Sequence, residues 1–332
     1  MGALIKKIEY YLPEKVLTNS QLQEEFKDCD AKKIEDKIGI RQRHIVQENE
    51  TALDLAYNAS EKNLAGYDRS KIDFLILCTQ SPDYYLPTSS CILQHKLNLK
   101  TDIGAFDFNL GCSGFVYGLA LAKSLLNSNI ANSILLIMSE TYSKHINPKD
   151  KANRSIFGDA AATAIIEKSE DEGVFEFSLG TDGSGYKNLI IPNGGLRKRY
   201  DINARNIDDG QGTIRTENDL YMNGPEMLNF MIESVPKVVL NVLKKNKTTL
   251  DELDYVIFHQ ANGYIIEYLR KKIKIPKDKF YTNLLYTGNT VSASIPIAIK
   301  DCLDNKIIRQ GNKILIVGFG VGYSWGGTII KI

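Results

Sequence analysis

Short apolar runs bounded by polar residues alternate along the chain with longer segments in which apolar residues recur every three to four positions. The runs predict strands buried on both faces: Ile72-Asp73-Phe74-Leu75-Ile76-Leu77-Cys78, Asn132-Ser133-Ile134-Leu135-Leu136-Ile137, Leu253-Asp254-Tyr255-Val256-Ile257-Phe258-His259 and Asn312-Lys313-Ile314-Leu315-Ile316-Val317. The periodic segments predict helices over residues 51–65, 114–126 and 225–243. The second is small and apolar nearly all round, which suits a central, buried helix. Strands alternating with helices predict an α/β architecture.

The strand runs fall into two pairs. Residues 72–78 match 253–259 at an offset of 259 − 78 = 181, and residues 132–137 match 312–317 at 312 − 132 = 180. Two matches in order at one offset predict an internal duplication, with half-domains at 1–172 and 173–332. No flexible linker separates them, so both halves are expected in one packed body. Residues 180–221, rich in Gly, Asn, Asp and Arg, read as an irregular excursion that caps a site.

Composition narrows the function classes. A chain of 332 residues with 43% hydrophobic and 24% charged residues has the material for a large core, which excludes a disordered chain or a disulfide mini-scaffold. Lys plus Arg minus Asp plus Glu is 41 − 40 = +1, which gives no overall argument for a nucleic-acid or membrane partner. The N-terminal residues are expected to be neither a signal peptide nor a myristoylation site, and no apolar run reaches the length of a membrane span. Five cysteines, Cys29, Cys78, Cys91, Cys112 and Cys302, occur without a CxxC pair. They predict a reduced, cytoplasmic protein without a structural metal; Cys91 and His95 alone do not make a zinc site.

Three residues stand out. Cys112 lies between a predicted strand and the buried helix, flanked by Gly111 and Gly114, so its thiol falls at a helix N-terminus where thiolate is favoured. The other four cysteines read as structural. His259 ends a strand, where α/β proteins usually build their sites. His44, His95 and His145 have no such setting and read as surface or structural histidines. Asn289 sits in Tyr286-Thr287-Gly288-Asn289-Thr290-Val291-Ser292-Ala293-Ser294, and by itself reads equally as a turn residue or cap. The repeat changes its weight: 112 + 180 = 292, three residues from Asn289. Both junctions are then equivalent in the two halves, and a pseudo-two-fold axis brings them together. Gly318-Phe319-Gly320-Val321-Gly322 reads as a turn offering backbone N–H groups to an oxyanion. Its ten following residues are expected to leave no room for a dinucleotide-binding unit. The basic runs at 197–199, 244–247 and 270–279 read as solvated faces, the third close enough to His259 to flank a site entrance.

In these contexts Cys112, His259 and Asn289 resemble the ketoacyl-acyl carrier protein synthase III family of the thiolase superfamily. The resemblance extends through Gly39-Ile40-Arg41-Gln42-Arg43-His44-Ile45, Asn49-Glu50-Thr51-Ala52, Pro87-Thr88-Ser89-Ser90-Cys91 and Ile156-Phe157-Gly158-Asp159-Ala160-Ala161. It continues in His259-Gln260-Ala261-Asn262, Gly288-Asn289-Thr290 and Phe319-Gly320-Val321-Gly322-Tyr323-Ser324-Trp325-Gly326. It implies a thiolase-like, internally duplicated fold of five layers, α/β/α/β/α, in a homodimer. It implies a cofactor-free reaction in which Cys112 takes an acyl group from a thioester and malonyl-acyl carrier protein decarboxylates and condenses with it. His259 and Asn289 are then the donors to the malonyl thioester oxygen, and the N–H groups of Cys112 and Val321 hold the acyl oxyanion. Leu86 (from the partner subunit), Phe157 and Gly320 shape the substrate pocket. Gln260, Asn262, Lys271 and Lys272 meet the carrier protein. The partners implied are acyl carrier protein, the acyl thioester and a second subunit, with no nucleic acid or membrane.

The departures from the family concern the donor. Lys33 and Lys151 stand where the family stacks Trp and Arg on the adenine of coenzyme A, and a lysine has no planar face to offer. Tyr264 and Asn229 replace two basic residues. Together they imply a specialised member that primes from an acyl carrier protein or an unusual acyl donor. Other readings are acyl transfer to an oxygen or nitrogen acceptor without condensation, a cysteine peptidase, and a scaffold subunit. The intact Cys-His-Asn set favours condensation over the first, the repeat has no role in the second, and the presence of Cys112 argues against the third.

Overall fold

In the computed structural model, which describes residues 2–210 and 212–332, all four predicted strand runs form strands, and each belongs to one of two larger sheets. The first sheet contains β1 (Gly2–Tyr11), β2 (Phe74–Cys78), β3 (Gly104–Phe108), β4 (Ser133–Glu140) and β5 (Ala160–Ser169), in the spatial order β1-β5-β4-β2-β3. The second contains β6 (Ser178–Thr181), β7 (Tyr255–Phe258), β8 (Lys313–Gly320) and β9 (Ser324–Lys331), in the order β7-β8-β9-β6. Phe74 pairs with Ile134 in a parallel ladder, and Tyr255 pairs with Ile314 in another. The offsets are 255 − 74 = 181 and 314 − 134 = 180, so the repeat holds at the level of register. The counterpart of β3 is reduced to a single parallel bridge between Val256 and Phe280.

Alternation along the paired strands feeds three layers of core. Ile134, Leu136 and Met138 of β4, with Ile314 and Ile316 of β8, face a central layer made by α3 (Gly114–Asn127) and α6 (Ser294–Asp304). Phe115, Val116 and Leu119 of α3 pack there with Ile295 and Ile299 of α6. The opposite faces pack outwards. Leu135 and Ile137 meet Leu53, Ala56 and Leu64 of α2 (Ala52–Leu64). Leu315, Val317 and Phe319 meet Val235, Val238 and Val242 of α4 (Gly224–Lys245). The result is the expected α/β/α/β/α stack.

The helices form close to where the pattern placed them. Thr51 caps α2 in a reciprocal box with Asp54, which satisfies two otherwise orphaned N–H groups. The apolar stripe of α4 carries it past Pro236, an interior position that ordinarily breaks a helix. Residues 180–221 are mostly irregular; two-residue strands pair Leu189–Ile190 with Tyr221–Met222 and Ile207–Asp208 with Ile214–Arg215. Leu189 and Met222 reach the central cavity, whereas Arg197, Lys198 and Arg199 are exposed. Among the described residues no helix is long and apolar enough to cross a membrane.

Candidate active site

After β3 the chain turns through residues 109–113, and the Gly114 N–H closes the turn on Gly111 O at 2.8 Å. Cys112 is therefore placed just ahead of α3, 6% exposed, with the end of β8 packed flush against it. A Cβ on Gly320 would lie 2.8 Å from Cys112 Cβ and 3.0 Å from its Sγ, and one on Gly318 would lie 2.7 Å from Cys112 O. Glycine is required at both positions because backbone and thiol share the space. Gly320→Ala is expected to displace Sγ and slow acylation of Cys112 by about 10²-fold, read by mass spectrometry of the intact chain, since misplacement of a reacting atom by about 1 Å costs that much.

Burial, reinforced by Glu140, pushes the Cys112 thiol up, while its own backbone N–H pulls the other way. Burial thus acts against the thiolate that the helix N-terminus favours. The two helix junctions meet as the repeat arithmetic predicted. A Cβ on Gly114 would lie 3.3 Å from Ser292 Cβ.

His259 follows β7, with its N–H bonded to Val317 O at 2.8 Å and its ring buried. Its Nδ1 lies 2.7 Å from Ser294 Oγ at the start of α6, and the ring meets Phe319 edge-on at a centroid distance of 5.6 Å. Burial lowers its pKa to about 3, with the Val291 backbone opposing, so the imidazole is neutral at physiological pH. Asn289 is fixed at both ends of its backbone: its N–H donates to Ile156 O at 2.9 Å, and its O accepts the Gly158 N–H at 3.0 Å. Its Oδ1 accepts the Val291 N–H at 2.9 Å. That bond uses the amide oxygen and leaves Nδ2 as the donor the side chain can offer.

Cys112, Phe157, His259, Asn289 and Gly320 line one cavity of about 700 Å³. Its walls also include Met222, Met227, Leu228 and Met231, which the sequence reading missed. The 227–231 spacing on an amphipathic helix was the available signal, but it reads equally as core. Lys37 and Ile38 of α1 (Ala31–Ile38), and Asn262, Tyr264 and Ile265 around the start of α5 (Gly263–Ile273), complete the cavity. Asn262 caps α5 by accepting the Ile265 N–H at 2.9 Å.

The remaining expected residues scatter. Gln260 is not on a docking surface: it is buried, donates to Phe258 O at 2.6 Å and accepts the Asn283 N–H at 3.0 Å, so it braces the strand end and has no amide left for a carrier protein. Leu86 is 83% exposed and does not line the cavity of its own chain. Val321 opens the short turn after β8, and its Cγ1 would lie 2.8 Å from a Cβ on Gly111. Lys271 and Lys272 are exposed on α5, with Lys271 Nζ 3.5 Å from Glu267. Lys33 is exposed, 3.8 Å from Asp30, whereas Lys151 is ion-paired with Asp28.

Comparison with known proteins agrees with this arrangement. The family model described as 3-oxoacyl-[acyl-carrier-protein] synthase III matches residues 106–183, and the model of its C-terminal part matches residues 243–332. The beta-ketoacyl-[acyl-carrier-protein] synthase III of Fusobacterium nucleatum is 38% identical over 331 residues, covering 98% of each chain. That of Clostridium perfringens is 37% identical over 325 residues, covering 97% of each. A crystal structure of a 3-oxoacyl-(acyl-carrier-protein) synthase III superposes over 100% of both chains with a TM-score of 0.98 and 43% identity. With a duplicated fold that gathers Cys112, His259 and Asn289 on one cavity, and full-length relatives of this kind, the chain belongs to the 3-oxoacyl-acyl carrier protein synthase III family.

Proposed function

We propose that this acyltransferase loads an acyl group onto Cys112 and condenses it with malonyl-acyl carrier protein. The observation that carries the reading is the convergence of one thiol and two side-chain donors on a single, largely apolar cavity. In the first stage Sγ attacks the donor thioester, and the N–H groups of Cys112 and Val321 receive the oxyanion. The departing donor thiolate takes up the proton that the buried thiol gives up. In the second stage the malonyl carboxylate leaves as CO₂, and the electron pair moves onto the thioester oxygen. Ser294 accepts the Gln260 N–H at 3.4 Å, so its own O–H is free to donate to His259 Nδ1. The ring proton is then on Nε2, and His259 joins Asn289 Nδ2 as a donor to the enolate oxygen. The enolate carbon attacks the acyl-cysteine and releases the Cys112 thiolate, which takes a proton from solvent. The steps need no cofactor. CO₂ release from malonyl-acyl carrier protein, coupled to formation of a ketoacyl product, tests the reading; an ester or amide formed without CO₂ sinks it.

Three features support a carrier protein as donor as well as acceptor. Lys33 and Lys151 offer no stacking face, and Lys151 is engaged with Asp28. Lys271 and Lys272 stand exposed on the helix whose start lines the cavity, so they suit an acidic partner docked at the mouth. Reversing both, Lys271→Glu with Lys272→Glu, is expected to raise KM for malonyl-acyl carrier protein about tenfold with little change in kcat. The difference should shrink as salt is added, because exposed charges are screened.

We also propose a homodimer of chains that each comprise half-domains 1–172 and 173–332. Tyr84, Tyr85 and Leu86 are exposed together, and the Tyr85 hydroxyl reaches Gly194 O in the segment that exposes Leu196, Tyr200 and Ile202. β3 is the edge of its sheet. A second copy would cover both, and Leu86 would enter the neighbouring cavity. Five free cysteines suit the reducing cytoplasm.

A further inference from the structure

The mechanism above leaves the buried carboxyl of Glu140 unused. Glu140 ends β4 with no exposed surface. The Gln80 N–H lies 3.1 Å from each of its oxygens, Ser81 Oγ lies 3.2 Å from Oε2, and Ser292 Oγ lies 3.4 Å from Oε1. Among the described residues no lysine or arginine is bonded to it. The titratable groups around it are Cys78 on β2, Cys112 before α3, and Tyr142 and Asp159, with His145 reached through Ser81 Oγ to Nε2 at 3.3 Å. None supplies a fixed positive charge, and burial raises the Glu140 pKa to about 8.

Ser292 lies within a short turn that holds both proposed donors. Asn289 Oδ1 bonds the Val291 N–H, Ser292 faces Glu140, and Ser294 Oγ meets His259 Nδ1. Val291 has φ = +53°, an unfavourable conformation for a β-branched residue that persists only where the surroundings hold it. Glu140 is a hold that comes from the other half of the chain.

We propose that Glu140 is a positioning residue of the condensation site: through Ser292 it ties down the turn that carries Asn289 and the Ser294 hydroxyl on His259. This rests on the condensation reading given above. A neutral Glu140 puts no negative charge beside Cys112. When it ionises, it opposes the thiolate.

The test compares wild type with Glu140→Gln, Glu140→Ala and Ser292→Ala in two measurements. The first is the pH dependence of Cys112 alkylation by iodoacetamide, followed by mass. In wild type Glu140 is ionised before Cys112 titrates. Glu140→Gln, which never ionises, is expected to move the curve down by about one pH unit, or about tenfold faster alkylation at a fixed pH on the rising limb. The second is condensation with malonyl-acyl carrier protein. Glu140→Ala and Ser292→Ala are each expected to lower kcat about 10²-fold with KM nearly unchanged, while acylation of Cys112 persists. Glu140→Gln, which keeps the amide oxygen for Gln80 and a donor for Ser292, is expected to recover at least tenfold over Glu140→Ala. Superimposable alkylation curves for wild type and Glu140→Gln, or wild-type condensation by Ser292→Ala, overturn the proposal. Should Glu140→Ala not fold, Ser292→Ala tests the same tie without touching the carboxyl. Alkylation needs no turnover. An absence of condensation in wild type therefore counts against the condensation reading, while the alkylation curves still decide whether Glu140 acts on Cys112 as the thiol titrates.

Discussion

Replacing Cys112 by alanine is expected to abolish the mass gain seen when the chain is incubated with its acyl donor, and to reduce condensation by at least about 10³-fold. Loss of a covalent nucleophile is among the largest effects a single substitution has on an enzyme, because the two-stage path disappears with it. No neighbouring thiol can stand in. Cys78 and Cys302 are buried, and neither they nor Cys29 nor Cys91 lines the cavity. Cys78 is also pushed far up by burial and by Glu140, and its Sγ is bonded to Leu110 O at 2.9 Å. A panel of acyl-coenzyme A and acyl carrier protein thioesters, with mass as the readout, gives the donor in the same experiment. A gain from acetyl-coenzyme A would show that Lys33 and Lys151 still permit nucleotide binding and would make this an ordinary initiator. A gain from carrier-protein thioesters alone would support the specialised donor. An equal gain in wild type and Cys112→Ala would remove the acyl-enzyme from the mechanism.

Much of the site was legible because buried strands and tight junctions constrain sequence strongly. The repeat of about 180 residues makes β7 the counterpart of β2 and β8 the counterpart of β4. It also carried the junction at Cys112 onto the one beside Asn289, where Gly114 and Ser292 now abut. Residues whose role depends on partners distant in sequence were less legible. Gln260 follows His259 directly and looked like a surface contact; only the fold shows its amide spent on Phe258 and Asn283. Glu140 lies in an otherwise unremarked strand end, and nothing local marks a carboxyl that will meet Ser292, 152 residues away. The environment of the Cys112 thiol was legible only in part for a similar reason. A helix N-terminus is visible in sequence, but the desolvation that opposes it comes from packing by Gly318 and Gly320 of the other half.

His259→Ala and Asn289→Ala are expected to separate the two stages. Each variant should still gain the acyl mass at Cys112, because attack on the donor thioester uses the thiol and backbone N–H groups. Each should lose about 10²–10³-fold in condensation and in CO₂ release, since each removes one donor from the oxygen on which the enolate charge develops. The effect is large because the cavity is lined mostly by apolar side chains, among them Met222, Met227, Leu228 and Met231, which offer no donor in place of a missing N–H. The two losses should not add. With one donor gone the enolate is already poorly held, and removing the other from a site that no longer holds it costs less. The neutral state of His259 sets the sign of a further check. Its pKa of about 3 means that lowering the pH from 8 to 6 neither charges the ring nor changes its donor role, so the wild-type condensation rate should show no limb near the ordinary histidine pKa of about 6.5. If His259→Ala instead loses acylation as severely as condensation, the ring takes the Cys112 proton. The assignment of the donor proton to Nε2 would then be wrong.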